Sequence, residues 1–182
     1  MHHFQINPFP NLEAARVLSI QGFIHLLITE TGHMDAQLAG TLINSRESET
    51  CPKVGDWVLV KRYEEEGMII DTLPRLNELS RKAPGSQSAR QVLAANIDGA
   101  FVVQGLDRDF NLMRLQRYLH QIVQCNIQPV VLLNKKDLVP DPESYRQQVL
   151  DLGYSCPVVL TSALYPMLQS EWTSQYLQPQ QT

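Results

Sequence analysis

The hydrophobic period of this chain changes near residue 90, so its two halves cannot belong to one kind of sheet. Before that point, apolar residues come in short alternating runs. Ala15 to Ile20, Phe23 to Thr29 and Met34 to Leu42 are separated by Gln21-Gly22 and Glu30-Thr31-Gly32-His33, which carry turn chemistry. Gly55-Asp56 opens Trp57-Val58-Leu59-Val60, and the acidic tip Glu64-Glu65-Glu66-Gly67 turns the chain into Met68-Ile69-Ile70. Five such strands in close succession predict a small closed β-barrel, because closure removes exposed edges. Trp57 starts an alternating strand and reads as core.

After residue 90 the runs become continuous. Ala100-Phe101-Val102-Val103, Pro129-Val130-Val131-Leu132-Leu133 and Pro157-Val158-Val159-Leu160 are strands expected to be buried on both faces. Between the first two, Asn111 is a candidate N-cap, and Leu112, Leu115, Leu119, Ile122 and Val123 fall on one helical face. Asp141-Pro142-Glu143 is a helix start: a cap, a proline in the first turn and an acid at the positive end of the dipole. Strand and helix alternating in this way predict a parallel sheet with right-handed crossovers. Pro74 and Ala83-Pro84-Gly85-Ser86 have linker composition. The expected organisation is a barrel over 1–75, a linker over 76–93 and a partial α/β domain over 94–182.

Composition narrows the function classes. No apolar run approaches the ~20 residues that span a bilayer, and the start lacks a signal peptide's build. A cytoplasmic protein with no membrane partner is expected. Cys51, Cys125 and Cys156 are scattered, against a disulfide framework or a metal knuckle. His25, His33 and His120 have no ligand spacing. The net charge of −4 does not suit a general nucleic-acid binder. Arg75, Arg81, Lys82 and Arg90, with Glu78 among them, form a local exception.

The chemistry concentrates where ligands bind in open parallel sheets, beyond the carboxyl ends of the strands. Asn134-Lys135-Lys136-Asp137 follows one strand and Thr161-Ser162-Ala163 the next. An ionised Asp137 only accepts, through two oxygens. Guanine presents two adjacent donors, a ring N–H and an exocyclic amine, which a carboxylate pairs bidentately. Adenine has an acceptor at that ring position. Asn134 can brace the loop and reach the purine's other edge. The stem of Lys135 can cover the base while its ammonium stays wet. Lys136 is expected to face solvent. The Ala163 N–H can donate to the guanine carbonyl, with Ser162 supporting the turn. A solvated loop is the plainer reading of Asn-Lys-x-Asp alone; its place after a buried strand favours guanine. Asp107 and Asp109 follow a strand end and read as loop caps.

No G-x-x-x-x-G-K-[ST] loop for the phosphates occurs in the chain, and no glycine follows Ala163. The order of motifs resembles that of the RsgA (YjeQ) family of circularly permuted GTPases. The matching stretches are Val54-Gly55-Asp56-Trp57-Val58, Leu73 through Arg81, Ala94-Ala95-Asn96-Ile97-Asp98, Asp109-Phe110-Asn111-Leu112, Leu132 through Leu138 and Thr161-Ser162-Ala163-Leu164. The resemblance implies an OB-fold barrel, then a GTPase domain with its guanine motifs ahead of its phosphate loop, then a zinc domain. It implies GTP or GDP as ligand, held weakly here, and the small ribosomal subunit and its rRNA as partners. Mg²⁺ and Zn²⁺ belong to later segments of that architecture. The chain departs from the pattern at Tyr165-Pro166 and stops at Thr182, which reads as truncation before the phosphate loop. Hydrolysis by this chain alone is not expected, because little else neutralises the transferring phosphate.

An OB-like barrel also suggests RNA contact, with Lys53, Lys61, Arg62, Arg75, Arg81 and Lys82 as candidates and a solvated surface as the plainer alternative. Arg75 and Asn77 are alternatively braces between domains. The rival reading is a non-enzymatic RNA- or ribosome-binding module.

Overall fold

The computed structural model describes residues 11–44, 51–82, 90–164 and 175–176. They fall in two units, Met1–Asn96 and Ile97–Thr182.

In the first unit, β1 (Glu13–Gln21), β2 (Ile24–Thr29), β3 (Gly32–Leu38), β4 (Trp57–Tyr63) and β5 (Glu66–Thr72) close a barrel in the order β1-β2-β3-β5-β4. All neighbours are antiparallel except β3 and β5, which run parallel. Alternation points Ala15, Val17, Leu27, Met34, Ala36, Val58, Val60 and Ile69 inward as one core. Gly67 also lies inside: a Cβ there would come within 2.6 Å of Met34 Sδ and 2.8 Å of Val60 Cγ1.

Three expectations are corrected here. The run Met34 to Leu42 is not one strand. β3 stops at Leu38, the Ala39 N–H donates to the Ile69 carbonyl at 2.9 Å, and α1 (Gly40–Asn44) follows. Trp57 is not core: it is 37% exposed, with the Arg16 guanidinium 5.6 Å from its ring centroid. The strand's period of two fixes this, since Val58 and Val60 take the narrow interior. The expected linker over 76–93 contains β6 (Glu78–Lys82) and β7 (Arg90–Ala95), paired antiparallel. Residues 83–89 lie outside the described residues.

That ribbon is tied to the barrel by polar contacts within the first unit. The Ala95 N–H donates to the Val54 carbonyl at 2.9 Å, and Asn96 Nδ2 to the Gly55 carbonyl at 3.0 Å. Arg75 donates to both carboxylate oxygens of fully buried Asp56, each at 2.8 Å, and to Glu78 at 3.0 Å. Asp56 in turn raises Arg75 above the ordinary guanidinium range, against the opposing effect of burial.

In the second unit, β8 (Gly99–Gly105), α2 (Leu112–Gln124), β9 (Gln128–Asn134), α3 (Pro142–Leu150) and β10 (Val158–Leu160) alternate as the pattern requires. The sheet is parallel, ordered β10-β9-β8. Both cap expectations hold. Asn111 accepts the Arg114 N–H at 2.8 Å, and Asp141 accepts the Ser144 N–H at 3.2 Å with Pro142 beside it. On α2, Leu115, Leu119 and Ile122 are buried, but Val123 is exposed. One residue is about 100° of helix, which carries Val123 past the packed stripe.

Candidate functional site

Central β9 sets the site. It pairs β10 on one side and β8 on the other, with Leu133 opposite Leu160 and Asn134 opposite Gly105. Three carboxyl ends therefore stand side by side. Backbone bonds lock the rim: Thr161 N–H to the Leu133 carbonyl at 2.9 Å, Lys136 N–H to the Thr161 carbonyl at 3.1 Å, and Leu106 N–H to the Asn134 carbonyl at 2.7 Å.

The turn after β9 is abrupt. Lys135 is left-handed, with φ 63° and ψ 35°, and a 3₁₀ turn spans Lys136–Leu138. A non-glycine residue in that region marks a backbone held by its surroundings. The turn leaves Asp137 exposed and Lys136 half-buried, rather than facing solvent as its position suggests.

The two rim loops grip each other through side chains. The Ala163 N–H donates to Asn134 Oδ1 at 3.1 Å, and Ser162 Oγ donates to Asp137 Oδ1. Ser162 is fully buried, and its Oγ also accepts the Leu164 N–H at 3.3 Å. Asn134 thus braces the loop, and Ser162 supports its turn, while the Ala163 N–H already has an acceptor. An oxygen of a carboxylate has more than one lone-pair direction, so the Ser162 bond leaves acceptor capacity on Asp137. Thr161 Oγ1 is buried and has no hydrogen-bond partner among the described residues.

Lys135 Nζ donates to Asp107 Oδ2, so the ammonium is paired. Asp107 Oδ1 accepts the Asp109 N–H at 3.0 Å, which is the expected loop cap. The Lys135 ammonium, then the Asp109 N–H, hold the Asp107 carboxyl below the usual range; Asp107 holds Lys135 above its own. Sequence reasoning missed this pair. No local spacing signals it; Gly105 only leaves room for the carboxylate, since a Cβ there would stand 3.2 Å and 3.3 Å from the Asp107 oxygens.

The basic residues of the first unit have varied partners. Arg62 donates to Glu13 at 2.8 Å and to Thr31 at 3.1 Å, and Arg75 is committed to Asp56 and Glu78. Lys61 lies over Tyr63 at 5.2 Å, and Arg81 donates to Gln91 at 3.1 Å. Lys53 is half-buried; the side chain of Lys82 lies outside the described residues. No group of three or more His, Cys, Asp or Glu side chains among the described residues could hold a metal ion. No described helix is long and apolar enough to cross a membrane.

Beside this geometry stand the known proteins. The family model described as RsgA GTPase matches residues 64–178. The chain belongs to the RsgA GTPase family. Among RsgA relatives, "Small ribosomal subunit biogenesis GTPase RsgA 1" of Bacteroides thetaiotaomicron is 32% identical over 163 residues, covering 89% of this chain and 46% of that protein. The RsgA of Syntrophotalea carbinolica is 34% identical over 169 residues, covering 88% and 46%. The chain spans about half the length of the curated relatives it matches. YjeQ from Thermotoga maritima shares the fold with TM-score 0.68 at 22% identity, covering 90% of this chain and 56% of that one. YloQ, described as a circularly permuted GTPase, matches with TM-score 0.64 at 20% identity, covering 96% and 58%. The RsgA fold expected from the motif order, barrel first and α/β sheet second, is the one observed.

Proposed function

We propose that the α/β unit recognises the guanine base of GDP or GTP, as the base-reading part of a small-ribosomal-subunit biogenesis GTPase. The observation that carries this reading is the pair of contacts from Asn134 to Ala163 and from Ser162 to Asp137. They hold two polar loops together beyond adjacent parallel strands, where a planar ligand can meet both. Asp137 accepts from the ring N–H and exocyclic amine of guanine. Asn134 braces the rim, and Lys135 lays its methylenes on the base. Ser162 orients Asp137. The Ala163 N–H turns from Asn134 to the base carbonyl, or is shared by both.

Relatives named for small-ribosomal-subunit biogenesis support the small subunit as partner; contact with its rRNA is assigned to Lys53 and Lys61 of the barrel region and Arg81 of the β6–β7 ribbon. Phosphate binding and hydrolysis are assigned to no residue here, since no Gly-rich phosphate loop occurs in the sequence. Base contacts without phosphate contacts bind weakly, so the test needs concentrated protein.

Calorimetry of the chain with GDP and ADP tests the reading. Heat with GDP alone is the expected result; equal heats, or none with GDP, count against it. Asp137→Asn supplies a donor where guanine needs an acceptor. It should shift preference from guanine to xanthine nucleotides, and an unchanged preference removes Asp137 from the site.

A further inference from the structure

The Asp107 carboxylate is held from several sides, yet it belongs to neither loop expected to read the base. Its Oδ1 is fixed by the Asp109 N–H at 3.0 Å. Gly105 leaves the space that the carboxylate fills; a Cβ there would crowd both oxygens. The Leu106 N–H, donating to the Asn134 carbonyl at 2.7 Å, ties its loop to the end of β9. With Oδ1 and the backbone fixed, Oδ2 is presented at one place, and the Lys135 ammonium binds there. The left-handed backbone at Lys135 lets its side chain leave the β9 turn toward β8.

We propose that Asp107 is a positioning residue for guanine recognition: it pins the ammonium of Lys135 at the end of β8, so that the lysine's methylenes span the rim as one wall of the base site. The inference rests on the guanine reading above. Guanine is neutral and offers the ammonium no counter-charge, so an unpinned lysine would sample many rotamers in solvent. Pinning removes that freedom before the ligand arrives, which raises affinity by preorganisation. Asp107 sets how tightly the base is held, and Asp137 sets which base it is.

The test is a double-mutant cycle on the full chain. Asp107→Asn keeps the oxygen that accepts the Asp109 N–H and removes the charge. It should weaken GDP binding roughly two- to fivefold, the range of exposed ion pairs, and leave the guanine-over-xanthine preference intact. In a Lys135→Met background, which keeps the methylenes and removes the ammonium, the same substitution should change nothing. A purely structural role would lower affinity equally in both backgrounds.

A second readout needs no nucleotide. The Lys135 side-chain NMR titration should move down toward the ordinary lysine value in Asp107→Asn, with Asp109 and Asp137 still nearby. Wild type binding GDP selectively while Asp107→Asn binds it equally or more tightly overturns the positioning role alone. An equal loss in the Lys135→Met background, or an unmoved lysine titration, does the same. A wild-type chain that shows no guanine preference overturns the guanine reading, and this inference falls with it.

Discussion

Arg75 holds Asp56 with two parallel hydrogen bonds of 2.8 Å, and the carboxylate it holds is fully removed from solvent. Asp56 Oδ2 also accepts the Lys53 N–H at 2.7 Å, while Arg75 reaches on to Glu78. Two ion pairs that share Arg75 therefore join the start of β4 to the start of β6. Removing one partner leaves the other charge uncompensated. Arg75→Leu should destabilise the first unit by about 3 to 5 kcal/mol in urea unfolding. Arg62→Leu, which breaks a partly exposed pair with Glu13, should cost no more than about 1 kcal/mol. Similar costs for the two would mean that burial does not set the worth of these pairs.

Gly55 approaches the ribbon more closely than any side chain allows. Its φ is +89°, and a Cβ would stand 2.0 Å from the Ala95 carbonyl oxygen. Gly22, at φ +61°, has nothing within 4 Å. Gly22→Ala should cost about 1 to 2 kcal/mol from the left-handed backbone alone. Gly55→Ala adds a backbone collision and should cost several-fold more, read as a larger drop in the thermal midpoint of the full chain. Equal drops would show that the Gly55–Ala95 approach relaxes freely.

His25 gives the barrel a pH dependence. It is buried, and Nδ1 has no hydrogen-bond partner among the described residues. Burial first, with Lys53 adding to it, holds the His25 pKa below the ordinary imidazole value of about 6.5, against a backbone hydrogen bond at Phe23. The unfolded chain thus binds the proton at higher pH than the folded one. The stability from neutral His25 is fully present above about pH 6.5 and is lost as pH falls from there to the lower folded value. Urea unfolding between pH 7.5 and 5 should show wild type losing more stability on acidification than His25→Leu. Parallel curves would remove His25 as the cause.

The rim contacts give a nucleotide-independent prediction. Asn134→Ala removes the acceptor that the Ala163 N–H uses at 3.1 Å. Amide exchange at Ala163 should quicken by roughly fivefold, the scale of one hydrogen bond of about 1 kcal/mol. Ser162→Ala should quicken exchange at Leu164, whose N–H donates to Ser162 Oγ, with less effect at Ala163. Unchanged exchange in both variants would mean that side chains do not hold the loop.

The sequence alone determined whatever depends on near neighbours and on period. Asn111 and Asp141 cap their helices because each oxygen reaches an N–H three residues on, a distance the backbone fixes locally. The alternating and continuous apolar runs set barrel and parallel sheet, because strand pleating turns spacing into facing. The motif order, with two polar loops after successive buried strands, pointed to the family. Tertiary structure decided whatever depends on space between distant segments. The β6–β7 ribbon had little local signal; two strands of five and six residues persist because Ala95 and Asn96 bond to the barrel. Trp57 went outward because Val58 and Val60 filled the interior. Lys135 met Asp107 because parallel pairing set β8 beside β9 and aligned their carboxyl ends. No local spacing encodes that meeting, since it exists only once the sheet has formed.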